Sequence, residues 1–311
     1  MRLLANDGID ASASAILQQK NWKIYSDKIP AKELNAYLIQ EAIQVLVVRS
    51  ATQVTKEVVQ NTTALRYVVR AGVGLDNVDI QACEALGIVV KNTPNAASLS
   101  VAELVMAHLY AGARFLQASN YALRMGQDFS MLKKEYSKGT ELKGKTLGII
   151  GLGRIGKTLA QLAIGNGMEV IGYDTHCTNP TIQWQIAKQT ITYTIPTLTL
   201  QELLAQSDAI SLHIPSIGGY VLDDNEFQLM KKGVAIINTA RGGIVNEEAI
   251  IPYLQSGAIG YVGLDVFSQE PTISSSLLQN NKVVLSPHIG ASTVEAQQRV
   301  GVELLELLDS I

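Results

Sequence analysis

The feature that most constrains the fold is a glycine pattern joining an apolar strand to a helix. Residues 145–156 read Lys-Thr-Leu-Gly-Ile-Ile-Gly-Leu-Gly-Arg-Ile-Gly. Gly151 is suited to a tight turn, Gly153 lets a phosphate approach the backbone, and Gly156 allows close packing of helix on strand. The following helix N-terminus offers N–H groups and a partial positive charge to phosphates. The pattern predicts a dinucleotide-binding strand, turn and helix.

An acidic residue follows this loop at the expected distance. Asp174 ends a second apolar strand and lies 23 residues after Gly151, close to the ~20-residue offset of the acid that binds the adenine ribose. A carboxylate there repels a 2′-phosphate, so NAD is predicted rather than NADP. The alternative is a glycine-rich turn in which Asp174 caps only local backbone.

Strand and helix patterns alternate along nearly the whole chain. Apolar, β-branched runs predict strands at Arg2–Ala5, Gln44–Val48, Tyr67–Val69, Ile88–Val90, Thr146–Ile150, Glu169–Tyr173, Ile191–Thr194, Ala209–His213, Val234–Asn238, Tyr261–Leu264 and Val283–Leu285. Helical spacing separates many of them. This alternation predicts an α/β protein with two Rossmann-like, doubly wound parallel-sheet domains.

Two segments predict long helices without strands. Ser98–Gly126 reads as one linker helix, with Ser98 or Ser100 as its cap and Glu103 completing a capping box with Ser100. Ser292–Leu308 reads as a final amphipathic helix after the last strand. Its periodicity does not indicate the domain on which it packs.

Composition excludes several other classes of protein. Among 311 residues, 47% are hydrophobic and 17% charged, which favours buried cores over disorder. The net charge of −3 and the lack of basic runs argue against nucleic-acid binding. No segment predicts a signal peptide or a membrane span, no His/Cys/carboxylate cluster predicts a metal, and two lone cysteines suggest a reducing cytoplasm.

Charged residues follow three later strands. Arg241 lies in Asn-Thr-Ala-Arg-Gly-Gly, Asp265 and Glu270 in Leu-Asp-Val-Phe-Ser-Gln-Glu-Pro, and His288 in Ser-Pro-His-Ile-Gly. A guanidinium suits a substrate carboxylate, and a histidine beside a carboxylate can exchange a proton near neutral pH. Each residue alone reads as an ordinary loop side chain. Together, in a nucleotide-binding unit, they predict hydride transfer to or from a 2-keto or 2-hydroxy acid.

These motifs resemble those of the D-isomer-specific 2-hydroxyacid dehydrogenases, most clearly from Val48 to Ser292. The resemblance implies that Arg241 binds the substrate carboxylate and carbonyl, that His288 is the acid/base, and that Glu270 is its partner. It also implies that Asp265 holds the nicotinamide carboxamide. The further cofactor residues that it implies are Gly151, Gly153, Arg154, Ile155, Gly156, Asp174, His213, Pro215 and Thr239. The loop from His213 to Tyr220 is shorter than usual in the family, which leaves its cofactor contacts open.

Other loops resemble those of family members that oxidise D-3-phosphoglycerate. The carboxyl-terminal regulatory domains of the longer members are not expected in this chain. The substrate residues that this implies are Arg49, Ser50, Arg70, Gly72, Val73 and Asn95, with the two arginines near the phosphate. Surface cations are the alternative for both arginines. Rival substrates are glyoxylate, hydroxypyruvate, D-lactate and 4-phosphoerythronate. A cofactor-sensing corepressor is the rival from another class.

The resemblance also implies a domain arrangement. Residues 1–96 plus 290–311 are expected to form the substrate-binding domain, and residues 97–289 the NAD-binding domain, with the active site in a cleft between them. Apolar positions in Ser98–Gly126 predict a homodimer joined through the cofactor domains. His108 and His176 belong to no motif and receive no role.

Overall fold

The computed structural model describes residues 1–310. The strands are β1 (Arg2–Ala5), β2 (Lys23–Tyr25), β3 (Val45–Val48), β4 (Tyr67–Arg70), β5 (Val89–Asn92), β6 (Thr146–Ile150), β7 (Glu169–Tyr173), β8 (Thr181–Ile186), β9 (Gln189–Thr194), β10 (Ala209–Leu212), β11 (Val234–Asn238), β12 (Ile259–Leu264) and β13 (Val283–Leu285). The helices are α1 (Ala11–Gln19), α2 (Ala31–Gln40), α3 (Lys56–Val59), α4 (Ile80–Ala85), α5 (Ser98–Ala113), α6 (Leu116–Arg124), α7 (Phe129–Glu135), α8 (Arg154–Gly165), α9 (Leu200–Gln206), α10 (Asp224–Gln228), α11 (Ile250–Ser256), α12 (Ser275–Leu278) and α13 (Val294–Asp309). A single 3₁₀ turn, Tyr136–Lys138, follows α7.

The elements divide into two compact units. Unit 1 comprises residues 1–98 and those from 291 onward, so α13 belongs to it, and unit 2 comprises residues 99–290. Each unit is built on a parallel β-sheet with helices packed on it. The α/β class with two parallel-sheet domains is therefore confirmed.

The sheet of unit 1 has the strand order β2-β1-β3-β4-β5, and all of its pairs are parallel. β3 is buried along its whole length, as expected for a central strand covered on both faces. The chain winds outward in both directions from β1 and β3. In an open parallel sheet, the carboxyl ends of the strands at such a reversal form a ligand crevice.

The main sheet of unit 2 has the order β13-β12-β11-β10-β6-β7 and is also parallel throughout. Its reversal lies between β6 and β10. The glycine-rich loop follows β6, and the segment beginning with His213 follows β10. Both segments therefore lie at the edge where such sheets bind ligands.

One predicted strand of unit 2 is present but does not pair with the parallel sheet, although that pairing was expected. The predicted strand Ile191–Thr194 is part of β9, which pairs antiparallel with β8 instead of joining the parallel sheet. Residues 187 and 188 form the connecting turn. The hairpin turns Ile182 and Trp184 towards the core of unit 2, while Gln183 remains exposed. Alternating apolar and polar residues thus form a separate two-stranded layer after β7.

The long helix predicted over Ser98–Gly126 was also wrong, because the chain breaks it into α5 and α6. Phe115 between them adopts a left-handed conformation with φ of 54°, which an α-helix cannot continue. The predicted capping box is absent. Ser100 lies inside α5, and its hydroxyl donates to the carbonyl oxygen of Gly290 at 2.6 Å, so it does not cap the helix.

Among residues 1–310 no single helix is long and apolar enough to cross a membrane. Only α5 and α6 taken together have that length and composition, and they are bent by 62°. The same residues contain no group of three or more histidine, cysteine or acidic side chains arranged to hold a metal ion.

Candidate active site

The glycine-rich loop has a separate steric reason for each of two glycines. Gly151 has a φ of 97°, and a Cβ there would lie 2.5 Å from the carbonyl oxygen of His213. A Cβ on Gly156 would lie 2.1 Å from the carbonyl oxygen of Gly151. Any side chain at either position would push apart the loop and the elements packed on it. These glycines are therefore required by the fold itself.

Gly153 is different, because a Cβ there would meet no atom of the described residues within 4 Å. Its φ of −70° is also ordinary. Gly153 is the N-cap of α8 and supplies no side-chain hydrogen bond, so the first N–H groups of a twelve-residue helix face an open space. Arg154 is exposed and Ile155 half-buried at this end. This space fits the pyrophosphate of a dinucleotide.

Asp174 follows β7 and binds the neighbouring backbone through both oxygens. Oδ2 accepts from the N–H of Leu152 in the glycine-rich loop, and Oδ1 accepts from the N–H of His176, both at 2.7 Å. Asp174 therefore has the local capping role considered from the sequence. Each carboxylate oxygen can accept a second bond, so a contact to the adenine ribose stays a prediction.

Two buried polar atoms lie at the carboxyl ends of neighbouring strands. Nδ1 of His213 and Oγ1 of Thr239 have no hydrogen-bond partner among residues 1–310. Burial lowers the pKa of His213 to about 3, so the ring is neutral, and its Nε2 lies 2.9 Å from the Ser211 hydroxyl. Pro215 is exposed two residues further on. Unpartnered buried groups are rare in proteins, and here they fit a cofactor that would bind them.

Arg241 lies three residues beyond β11 in a tightly bonded turn. The Asn238 side-chain amide donates to the Arg241 carbonyl oxygen at 2.8 Å, and Nη1 of Arg241 donates to the Ala240 carbonyl oxygen at 2.6 Å. The next residue must be glycine, because a Cβ on Gly242 would lie 1.9 Å from the carbonyl oxygen of Phe267. This approach brings the turn after β11 against the loop after β12.

Asp265 follows β12 and is only 1% exposed. Its Oδ1 accepts from the Ser286 hydroxyl at 2.6 Å and from the Ile289 N–H at 2.9 Å, and its Oδ2 accepts from the Gly290 N–H at 2.8 Å. Its carbonyl oxygen accepts from the His288 N–H. Asp265 thus binds the whole loop that carries His288. Its predicted contact with the nicotinamide stays a prediction.

His288 and Glu270 form the pair expected from the sequence. Nδ1 of His288 lies 2.8 Å from Oε2 of Glu270, and Oε1 of Glu270 accepts from the Phe267 N–H at 3.0 Å. The two side chains are 46% and 37% exposed, so both can reach a ligand. A carboxylate on Nδ1 fixes the imidazole tautomer and directs Nε2 away from it. The pair is thus arranged for proton transfer at Nε2.

In unit 1, Arg49 lies where the strand order reverses, between β1 and β3. Arg49 directly follows β3, and with Asp7 and Asp10 it lines a cavity of about 220 Å³. Oδ2 of Asp7 accepts from the backbone N–H groups of Arg49 and Thr52 at 2.7 and 3.0 Å, and Lys28 forms an ion pair with Asp7. Burial alone would raise the pKa of Asp7, but these bonds and Lys28 hold it below its ordinary value. An ionised Asp7 therefore fixes the Arg49 loop.

The other predicted substrate residues have mixed surroundings. The guanidinium of Arg70 lies over Gly72, since a Cβ there would be 1.6 Å from Nη1. Val73 accepts through its carbonyl oxygen from the Asn92 side chain, and Ser50 is exposed. The Asn95 side chain donates to Glu303 of α13 at 2.9 Å. Asn95 therefore has a structural role that the sequence did not indicate.

A polar contact behind the His288 loop was not predicted from the sequence motifs. His108 of α5 is buried, and its Nε2 lies 2.9 Å from Oγ of Ser286. His108 belongs to no motif, so no role was predicted for it. Ser286 lies in the Ser-Pro-His motif, in which only His288 has a predicted role. The signal in the sequence is a histidine within the mostly apolar α5, in which Ser98 and Ser100 are also buried.

Comparison with known proteins identifies the family of the chain. The model of the D-isomer specific 2-hydroxyacid dehydrogenase NAD binding domain matches residues 106–290. Hydroxypyruvate reductase of Thermotoga maritima is 40% identical over 98% of this chain and 96% of its own length. D-3-phosphoglycerate dehydrogenase of Sus scrofa is 38% identical over 100% of this chain and 56% of its own length. The chain thus spans about half the length of that relative.

A solved structure leads to the same class. The crystal structure of a glyoxylate reductase from Paecilomyes thermophila has a TM-score of 0.84 and 27% identity, over 99% of this chain and 94% of that one. Fold and comparisons together define an NAD-dependent oxidoreductase. The chain belongs to the D-isomer-specific 2-hydroxyacid dehydrogenase family, and the resemblance inferred from its motifs is confirmed.

The space beside Gly153 gives a test of cofactor binding. Gly153→Ala leaves the free protein's loop intact, because the added methyl group meets no protein atom, but it intrudes where a pyrophosphate would lie. We expect an unchanged melting temperature and NADH affinity reduced about tenfold or more, that is by about 1.4 kcal/mol or more. Calorimetric titration measures the affinity.

Gly165→Ala is the matched control, since it adds a methyl group in open space at the other end of the same helix. It should leave NADH affinity unchanged and stabilise the helix by about 0.5–1 kcal/mol. Equal NADH affinity in the Gly153→Ala variant and the unaltered protein would exclude this position of the pyrophosphate.

Proposed function

We propose that this protein oxidises D-3-phosphoglycerate to 3-phosphohydroxypyruvate with NAD, the oxidation that begins serine synthesis. In this proposal residues 97–289 would bind NAD, and residues 1–96 plus 290–311 would bind the acid. The observation that carries the proposal is the 2.8 Å contact between Nδ1 of His288 and Oε2 of Glu270. It supports proton exchange with the oxygen bonded to a carbon that gives up or receives hydride.

The roles of the side chains follow from charge and protonation. Arg241 would bind the substrate carboxylate and polarise the oxygen on the alpha carbon. Glu270 accepts a hydrogen bond from Nδ1–H of His288, which keeps the proton on Nδ1 and leaves a lone pair on Nε2 to remove the hydroxyl proton. The imidazolium that results is stabilised by the same carboxylate. NAD held at the amino end of α8 would supply the hydride acceptor for the alpha hydrogen. In the reverse direction His288 would return the proton to the carbonyl oxygen.

The His288 and Glu270 pair can be tested by two substitutions. His288→Asn removes the proton acceptor, and we expect kcat to fall by about 10²–10⁴-fold, the usual contribution of acid–base catalysis. Glu270→Gln should lower kcat and change its pH profile, because the imidazolium loses its carboxylate. Steady-state kinetics with NADH affinity measured in parallel gives both results.

His176→Gln is the control for loss of an exposed imidazole in the same unit. Because Nδ1 of His176 lies 3.9 Å from Oδ1 of Asp174, kcat of this variant is measured at saturating NADH. The substitution should leave kcat unchanged. Near-normal turnover in the His288→Asn variant with intact NADH binding would remove His288 from the mechanism.

The phosphate is the finer part of the proposal. Arg49 and Arg70 end two neighbouring parallel strands of unit 1, at the edge where such sheets bind ligands. Arg49 also lines the 220 Å³ cavity, and its backbone is fixed by Asp7. Two guanidinium groups at one sheet edge suit a phosphate better than an uncharged group does.

Arg49→Ala tests this assignment. We expect KM for 3-phosphohydroxypyruvate to rise about 10–100-fold, the loss of one charge-assisted contact of about 1.5–3 kcal/mol. KM for hydroxypyruvate, which has no phosphate, should change little. Arg66→Ala is the control, because Arg66 is an exposed arginine just before the amino end of β4. If both substrates respond equally, Arg49 does not recognise the phosphate.

A second candidate is reduction of hydroxypyruvate or glyoxylate, favoured by the 40% identity with hydroxypyruvate reductase of Thermotoga maritima across nearly both chains. D-lactate and 4-phosphoerythronate are further substrates of the same chemistry. A panel of these acids with NADH separates them by kcat/KM. No turnover on any member of the panel would instead favour a cofactor-sensing corepressor.

We also propose a homodimer that joins the cofactor domains. α6, α7 and the residues beside them expose large apolar side chains that are 60–72% accessible: Leu116, Tyr121, Met125, Phe129 and Met131. Such a patch on a monomer marks an interaction surface. Both cysteines are free thiols, which supports work in the reducing cytoplasm.

The double substitution Phe129→Glu and Met131→Glu tests the dimer. Two buried carboxylates at an interface should shift the protein from dimer to monomer at micromolar concentration, as measured by sedimentation velocity. Val302→Glu, on an exposed apolar residue of α13, should leave the dimer intact. A monomeric unaltered protein would contradict the proposal.

A further inference from the structure

A chain of three buried polar side chains lies behind the His288 loop. His108 of α5 is 3% exposed, and its Nε2 lies 2.9 Å from Oγ of Ser286. The Ser286 hydroxyl donates to Oδ1 of Asp265 at 2.6 Å. The three residues come from a helix, the end of β13 and the end of β12. They join the middle of α5 to the loop that carries the proposed acid/base.

The donors and acceptors of these hydrogen bonds determine which ring nitrogen of His108 carries a proton. A serine hydroxyl has one proton, and Ser286 gives it to Asp265, so Oγ can only accept from Nε2 of His108. His108 must therefore carry a proton on Nε2. Burial lowers the pKa of His108, although the Asp265 carboxylate raises it in part. The ring is thus neutral, with its proton on Nε2 and a lone pair on Nδ1.

The His108 ring has an unfavourable effect on the packing around it. Nδ1 of His108 is buried and has no partner among residues 1–310, which costs free energy that an apolar side chain would avoid. Gly263 must also lack a side chain, because a Cβ there would lie 2.9 Å from Nδ1 and Cβ of His108. Packing alone would favour leucine at 108. The hydrogen bond to Ser286 is what the histidine adds.

Asp265 connects Ser286 to the rest of the loop that carries His288. Its carboxylate accepts hydrogen bonds from the N–H groups of Ile289 and Gly290. Between Ser286 and Ile289, His288 adopts a left-handed conformation with φ of 54°. A side chain keeps that conformation only when its surroundings determine it. Rotation of the Asp265 carboxylate would release the amides that hold His288.

We propose that His108 is a positioning residue for His288. By donating to Ser286 it fixes the serine hydroxyl on Asp265, and through Asp265 it fixes the loop from which His288 faces the substrate. His108 touches neither substrate nor cofactor in this proposal. The inference rests on the proposed function in one respect, the catalytic use of His288.

The test compares two substitutions of His108. His108→Leu keeps the bulk and removes the donor, whereas His108→Gln keeps an N–H donor at the ε position. For His108→Leu we expect kcat to fall about 10–100-fold, the effect of a small misplacement of a catalytic group, with KM for the acid and for NAD changed less than about twofold. Hydrogen exchange of the amides of residues 286–290 should become faster. His108→Gln should restore both properties.

Tyr261→Phe is the matched control. The Tyr261 hydroxyl donates to the carbonyl oxygen of Leu109 at 2.9 Å, so the variant loses a hydrogen bond between α5 and β12 beside His108 without touching Ser286. It should leave kcat and the exchange of residues 286–290 unchanged. If it lowers kcat as much as His108→Leu does, general loosening of α5 explains the effect and the proposal is overturned.

Hydrogen exchange separates this proposal from the proposed function. If His288→Asn proves fully active, the catalytic role of His288 fails, yet faster loop exchange in His108→Leu still demonstrates the positioning contact. Unchanged exchange and unchanged kcat in His108→Leu overturn the proposal. Should that variant not fold, Ser286→Ala makes the same test, with Ser207→Ala as the control for a buried serine hydroxyl elsewhere in unit 2.

Discussion

The Asp265 carboxylate is the interaction on which the site depends. It is almost completely removed from water, and three hydrogen bonds from the loop after β13 compensate for that burial. A buried charge without such bonds would be strongly unfavourable. The loop therefore has one arrangement that satisfies the charge, and His288 takes its position from that arrangement. The order around His288 follows from the need to give the buried Asp265 carboxylate its hydrogen bonds.

Parallel strands bring the remaining groups to the same edge. In unit 2 the glycine-rich loop, His213, Thr239, Arg241, Asp265 and His288 all follow the carboxyl ends of strands in one sheet. In unit 1, Asp7 and Arg49 follow β1 and β3 at the strand reversal. Repeated strand-to-helix connections thus bring residues that are distant in the sequence to one edge of the sheet. Because these residues lie beyond the strands, their side chains can vary without changing the strand pairing.

Much of this arrangement was predictable because it depends on local pattern. The glycines of the loop and the pair formed by His288 and Glu270 belong to short motifs whose spacing reflects backbone geometry. His108 was not predictable, because its partner Ser286 lies 178 residues away along the chain and nothing local marks the contact. The contact of Asn95 was not predictable for the same reason, since its partner Glu303 lies in the last helix. Short elements such as α3 and α12 have too few residues for a helical period to appear.

The strand prediction over Ile191–Thr194 erred differently, since its alternating pattern fits any sheet and pairing is not encoded in one strand. The β8–β9 hairpin that contains it has a two-residue turn, and its outer face consists of threonine and glutamine side chains exposed to solvent. Each strand bonds chiefly to the other, so the hairpin is a nearly self-contained layer on unit 2. Extra chain is tolerated best at such exposed tips. The link between Ala187 and Lys188 is consequently the natural point at which to graft a fluorescent reporter or an affinity handle.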